Sequence, residues 1–258
     1  MAYSPDMRGF AARPATDAAA IDQGLRGYML RVYNWMASGL VLTGVVALAI
    51  VNVPAVFNVF YPLRQMADGS MHHVPGTLAY VSMFAPLAFV LVMSFGINRL
   101  STSTVQALYW AFCVAMGASL TSILLTYTGQ SIARTFFISA GTFAAMSIWG
   151  YTTRTDLTKM GSFLIMGLFG IILASVVNMF VGSTGLQFAI SLIGVLIFTG
   201  LTAYDTQRIK SDYTQFAYSE GTELAAKRSV MDALKLLLNF INLFMLLLQL
   251  TGNRSNSN

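Results

Sequence analysis

Charge is scarce in this sequence: only 10% of its 258 residues are charged and 56% are hydrophobic, where soluble domains carry about 25% charged residues. A water-exposed surface cannot be covered with so few charges, which excludes an ordinary soluble domain. Cysteine is almost absent. The single one, Cys113, lies inside an apolar run, so it offers no disulfide framework and no CxxC site and is expected to be buried and inert. The two histidines, His72 and His73, are adjacent, point in different directions and have no other ligands beside them, so no histidine metal site is expected.

Catalytic signatures are missing too. There is no HExxH, GxSxG, P-loop or GxGxxG, and an intramembrane aspartyl protease would need a second embedded acid to match Asp205. We therefore expect no enzyme and no cofactor. Net charge is +5, but the basic residues are scattered between apolar runs rather than gathered on one stripe. That pattern points to a membrane and away from nucleic acid.

What the sequence has in abundance is apolar length. A hydrocarbon core of about 30 Å needs roughly 20 apolar helical residues. Such segments occur at Tyr28 to Val53, Gly76 to Ile97, Val105 to Thr126, Ala133 to Tyr151, Met160 to Val181, Leu186 to Tyr204 and Val230 to Leu250. The expected fold is an all-α polytopic bundle of about seven spans: a cytoplasmic N-terminal arm over 1–27, a membrane domain over 28–250 and a tail over 251–258. Two connections, Pro54 to Pro75 and Asp205 to Arg228, are long enough to hold local structure.

Lysine and arginine set the orientation. Arg8, Arg13, Arg26, Arg31, Arg99, Arg154, Lys159, Arg208, Lys210, Lys227 and Arg228 fall on one side, and only Arg64, Arg134 and Arg254 on the other. The positive-inside rule makes the richer side cytoplasmic and places the C-terminus outside. Seven-helix receptors and retinal proteins have the opposite orientation, and Lys235 lies too near a helix end to carry retinal. Small residues at Ala107, Ala111, Ala115 and Ser119, and at Gly141 and Ala145, have the spacing of helix-packing ladders.

Ionisable groups beside spans are costly, about 2.5 to 3.5 kcal/mol at a helix centre, and so ask for a reason. Asp205 closes the expected sixth span, where the helix dipole disfavours an anion; Arg208 is its local candidate partner and Arg99 its distant one. A carboxylate snorkelling to water is the plain alternative. The last span, capped in expectation by Thr222, carries Asp232, Lys235, Asn239 and Asn242 along one stripe. Such a helix is expected to be interior, with its polar edge facing protein or a wet path.

The segments GLTAYDTQRIK (Gly200 to Lys210) and ALKLLLNFINLF (Ala233 to Phe244) resemble the Bax inhibitor family, also called the transmembrane Bax inhibitor motif family, and the likeness runs from Arg26 to Leu250. The resemblance implies six helices around a central seventh and a pH-sensitive calcium leak. It also implies an aspartate pair sharing a proton and an arginine latching the first acid. The first acid falls on Asp205 and the arginine on Arg99. At the second acid's position this chain has Asn239, which lacks the coupling of two close carboxylates but can offer a carbonyl oxygen to calcium.

The reading is thus a bacterial inner-membrane cation leak in which Asp205, Asn239 and Arg99 gate and Asp205 with Asn239 are candidate calcium ligands. Its partners are the lipid bilayer and calcium ions. The rival from another class is a non-conducting regulatory protein that binds membrane proteases or stress-response partners. A proton-coupled transporter is a third option, with no substrate named by the sequence.

Overall fold

The computed structural model of the chain describes residues 15–66, 69–216 and 222–255, and leaves the side chains of residues 15–21, Phe216 and Thr222 outside that description. Among the described residues eight helices appear in order: α1 (Ala15–Asn52), α2 (Pro54–Phe60), α3 (Thr77–Gly96), α4 (Thr102–Thr126), α5 (Gly129–Thr152), α6 (Thr158–Val181), α7 (Thr184–Phe216) and α8 (Thr222–Thr251). All but α2 are long and apolar enough to cross a membrane. Strands β1 (Leu63–Gln65) and β2 (Met71–His73) pair antiparallel between α2 and α3. The connection from Pro54 to Pro75 does hold local structure, as its length predicts.

Helix ends follow local chemistry. Ser101 and Thr128 accept the backbone N–H of Thr104 and Ser131, satisfying donors that α4 and α5 would otherwise leave open. Gly182 ends α6 with φ 66°, a left-handed conformation that glycine adopts without penalty. α8 begins at Thr222 itself; the cap expected of that side chain lies outside the described residues.

Two boundaries differ from expectation. The first helix begins at Ala15, inside the stretch expected to be an arm, and Leu25 is already buried in the core; of that arm, residues 1–14 lie outside the described residues. The second difference matters more. α7 does not stop at Tyr204 but runs 12 residues further, to Phe216. Hydropathy falls there, yet the buried face continues through Thr206 and Ile209, both fully buried, to Tyr213, whose ring lies 5.0 Å from that of Tyr28. Asp205 is therefore a mid-helix residue, and the helix-end argument for its cost does not apply.

The last span is central. In α8, 56% of the spanning window is buried, against 11% in α6, and α8 packs on α1, α4, α5 and α7. The enclosing ring is incomplete: α3 packs chiefly on α4, and α6 on α7, so a gap remains between α3 and α6. Phe240 and Phe244 of α8 meet Phe136 of α5 edge-on, and Phe240 also meets Phe143. Outward, Phe95, Phe163, Met179 and Phe180 are strongly exposed, which suits side chains in contact with lipid.

Backbones approach closely at two glycines outside the expected ladders. A methyl group on Gly150 would collide with the Ala203 carbonyl of α7, and one on Gly117 would come 2.5 Å from the Thr43 carbonyl of α1. Gly141 and Ala145 are exposed, and Gly141 has nothing within 4 Å of a built methyl. Spacing alone does not tell a packing face from a lipid face.

Beyond α8, Gly252 to Ser255 return onto the α4–α5 turn. Thr128 N–H donates to the Asn253 carbonyl at 3.1 Å and Ser255 N–H to that of Thr126 at 2.9 Å. Residues 256–258 of the expected tail lie outside the described residues.

Candidate functional site

The α7 and α8 helices bring two of the expected residues together. Asn239 donates its amide N–H to Asp205 Oδ2 at 2.7 Å, and both side chains are buried, at 7% and 8% exposure. The other carboxylate oxygen, Oδ1, lies 2.8 Å from Nη2 of Arg208, one turn further along α7. That guanidinium nitrogen is buried without an aligned hydrogen bond, so the contact is a charge pair rather than a directed bond. An amide donor and a cation thus both face the anion.

Arg208 is itself held from the side. Its guanidinium carbon lies 5.7 Å from the centre of the Tyr204 ring, a cation–π distance. Tyr204 in turn sits directly on Gly161 of α6, where a methyl group would strike the ring. The motif YDTQ therefore acts over four consecutive positions. Tyr204 underlies the guanidinium, Asp205 carries the charge, and Thr206 returns its hydroxyl to the Thr202 carbonyl. Gln207 accepts from Leu157 N–H at 2.8 Å and donates to the Thr155 carbonyl at 2.8 Å, pinning the α5–α6 connection.

Arg99 does not join this group. It lies exposed in the turn after α3, and among the described residues no ion pair or hydrogen bond links it to Asp205. The reason is positional: α3 packs on α4, whereas Arg208 is one helical turn from the carboxylate. The stripe on α8 also divides. Asp232 turns toward α1, where it accepts the Tyr28 hydroxyl at 2.7 Å. Asn242 donates to its own helix at the Leu238 carbonyl, 2.9 Å away.

Asp205 and Asn239 open onto a cleft of about 790 Å³ in the gap between α3 and α6. Its length along α8, from Lys235 to Gln249, is about 21 Å at 1.5 Å per residue. Arg208 and Lys235 line one end. Leu168, Ile171, Leu238 and Met245 make the middle apolar. At the far end Gln249 Oε1 accepts from Ser191 Oγ and Gln187 Nε2, each at 2.9 Å, and Gln187 accepts from Asn178 Nδ2. Sequence reasoning missed this far network and the roles of Tyr204 and Gly161. Polar residues inside apolar spans, Asn178, Gln187 and Gln249, were the available signal for the network. Nothing in spacing marks Gly161 as the seat of a ring.

The donor set can be weighed against calcium, which takes 6–8 oxygen ligands. Among the described residues Asp205 supplies the only carboxylate lining the cleft, Asn239 adds one amide oxygen, and no cluster of three or more His, Cys, Asp or Glu exists. So thin a set suits brief contact with a cation better than lasting coordination.

Fold and site together define a polytopic helical integral membrane protein with a buried, internally neutralised carboxylate at one end of its bundle. Comparison with known proteins narrows the class. The family described as "Inhibitor of apoptosis-promoting Bax1" matches residues 25–256, and the chain belongs to this Bax inhibitor family. Its relatives include an uncharacterized protein of Rickettsia prowazekii, 47% identical over 90% of this chain and 92% of the relative. Inner membrane protein YbhL of Escherichia coli K12 is 42% identical over 90% and 93%. An uncharacterized membrane protein of Streptococcus pyogenes is 31% identical over 90% and 94%.

Proposed function

We propose that this protein is a calcium-permeable cation leak of a bacterial inner membrane, gated at Asp205. The observation that carries the reading is the buried carboxylate at the head of a long cleft, held by a cation of its own helix. In the resting arrangement Arg208 occupies the position a permeating cation would take beside Oδ1. Movement of the guanidinium off the carboxylate exposes an anion to the cleft, and a cation replaces the lost partner. The apolar middle of the cleft keeps the path dry while the pair is closed. Asn239 holds the carboxylate in place through both states.

Arg208 takes the counter-ion role that the family resemblance assigns to Arg99. The inner-membrane placement draws on the name of the Escherichia coli relative, and the lysine and arginine distribution supports a cytoplasmic N-terminus. A reporter fused after Asn258 that is active only outside the cytoplasm supports this orientation; activity inside reverses it.

The functional test is calcium entry into vesicles containing purified protein and an entrapped indicator. Asp205→Asn removes the charge while keeping the shape, and is expected to reduce entry to the level of empty vesicles. Arg99→Ala is expected to leave entry within about twofold of wild type. If the wild-type protein admits no calcium at any pH, the leak reading fails and the non-conducting regulator becomes the better account.

A further inference from the structure

The cleft between α3 and α6 has features that gating at Asp205 does not use. Its polar side chains beyond that group are turned inward: Asn242 bonds to the Leu238 carbonyl, and Gln249 bonds to Ser191 and Gln187. What the cleft presents along its length is therefore chiefly Leu168, Ile171, Leu238, Met245 and Leu246. Its charges collect at one end. There Asp205 is neutralised by Arg208, and Asp232 points away toward Tyr28. Lys235 lines the same mouth, exposed on an otherwise buried helix and without an ion pair among the described residues. The mouth thus presents an exposed ammonium, its nearest acid Asp232 turned to Tyr28 one helical turn away, above an apolar groove about 21 Å long.

We propose that this groove is a binding site for one anionic phospholipid of the leaflet at the Asp205 end, with its phosphate on Lys235 and one acyl chain lying along α8. The match is of charge and of length. A basic residue near an anionic headgroup contributes about 1 kcal/mol, which corresponds to about a fivefold preference over a zwitterionic lipid. An acyl chain of one leaflet reaches about half of the ~30 Å hydrocarbon core, which matches the stretch of groove from Lys235 to Met245, and it covers apolar surface on the central helix that no other helix covers. The site stands on the groove and its charges, and it holds whether or not the protein conducts.

Native mass spectrometry of the full chain in mild detergent tests it, with dioleoylphosphatidylglycerol and dioleoylphosphatidylcholine offered at equal concentration. Wild type is expected to retain one phosphatidylglycerol about five times more often than one phosphatidylcholine. Lys235→Gln should bring that ratio close to one, while Arg64→Gln, which removes the same charge at the opposite end, should keep it. Leu168→Trp narrows the groove and should lower retention of both lipids. Equal retention by wild type overturns the proposal, as does a preference that survives Lys235→Gln or full lipid retention by Leu168→Trp. A stoichiometric protein partner or second copy that fills the groove and excludes lipid overturns it as well.

Discussion

Replacing Asn239 and Asp205 with alanine, singly and together, isolates the bond on which the site's geometry depends. A hydrogen bond to a charged group contributes about 1.5 to 3 kcal/mol. Bonds between membrane helices are weaker, averaging about 0.6 kcal/mol with a maximum near 1.7, because the unfolded chain in lipid also finds partners. The Asn239–Asp205 bond is short, at 2.7 Å, buried, and accepted by a carboxylate, so it belongs at the overlap of those ranges. We expect a coupling energy of about 1.5 kcal/mol. The measurement is equilibrium unfolding in mixed detergent micelles, followed by loss of helical circular dichroism across the four proteins of the cycle. Asp205→Ala alone should cost more than the coupling, because it also leaves Arg208 half-buried without its partner. A coupling energy below about 0.3 kcal/mol would show that the two side chains are neighbours without being partners, and the proposed anchoring of the carboxylate would fail.

Three further outcomes follow from the packing and the charges. Gly150→Ala pushes a methyl group into the Ala203 carbonyl, a backbone atom that cannot rotate away. It should destabilise the fold by about 1 to 3 kcal/mol in the same unfolding assay, while Gly141→Ala, with open space around it, should be neutral. Asn239→Asp places a second carboxylate where an amide now lies 2.7 Å from the first. Two close carboxylates cannot readily both ionise, so any pH dependence of calcium entry should steepen between about pH 5 and 8. Asp156, outside the spans, accepts from the hydroxyl and backbone N–H of Thr158, which hold its carboxyl below the usual carboxylate range. Its contribution to the start of α6 is present above the ordinary carboxylate value, about 3.9, and is lost as pH falls through the lowered one. The Thr158 amide proton should therefore titrate below that value in nuclear magnetic resonance spectra, and Asp156→Asn should abolish the titration.

The spans were legible because lipid leaves few solutions: apolar runs of about 20 residues have to be helices. Every expected span falls within an observed helix, apart from single terminal residues at Val53, Gly76 and Ile97. The end of α7 was not legible from hydropathy, because from Asp205 onward the helix is held by one buried face and by side chains that reach neighbouring segments. Gln207 and Lys210 do the latter at Leu157, Thr155 and Tyr151.

At the site, the pairing of Asp205 with Asn239 was legible only through the family resemblance carried by two short motifs, while the stripe of period 3.6 marked α8 as interior. The choice between Arg208 and Arg99 was not, since it depends on which helix α3 packs against. The incomplete ring around α8 was equally hidden. Apart from α8, each span is apolar enough to face either lipid or protein, and contacts such as those at Gly117, Gly150 and Gly161 show which faces meet.

The most direct test of the gate is the initial rate of calcium entry into vesicles containing Arg208→Gln, compared with wild type at equal protein density. Removing a half-buried counter-ion whose contact is worth about 1.4 kcal/mol shifts the closed–open balance by about tenfold. The account predicts entry about ten times faster than wild type. A rate equal to or below that of wild type would contradict it.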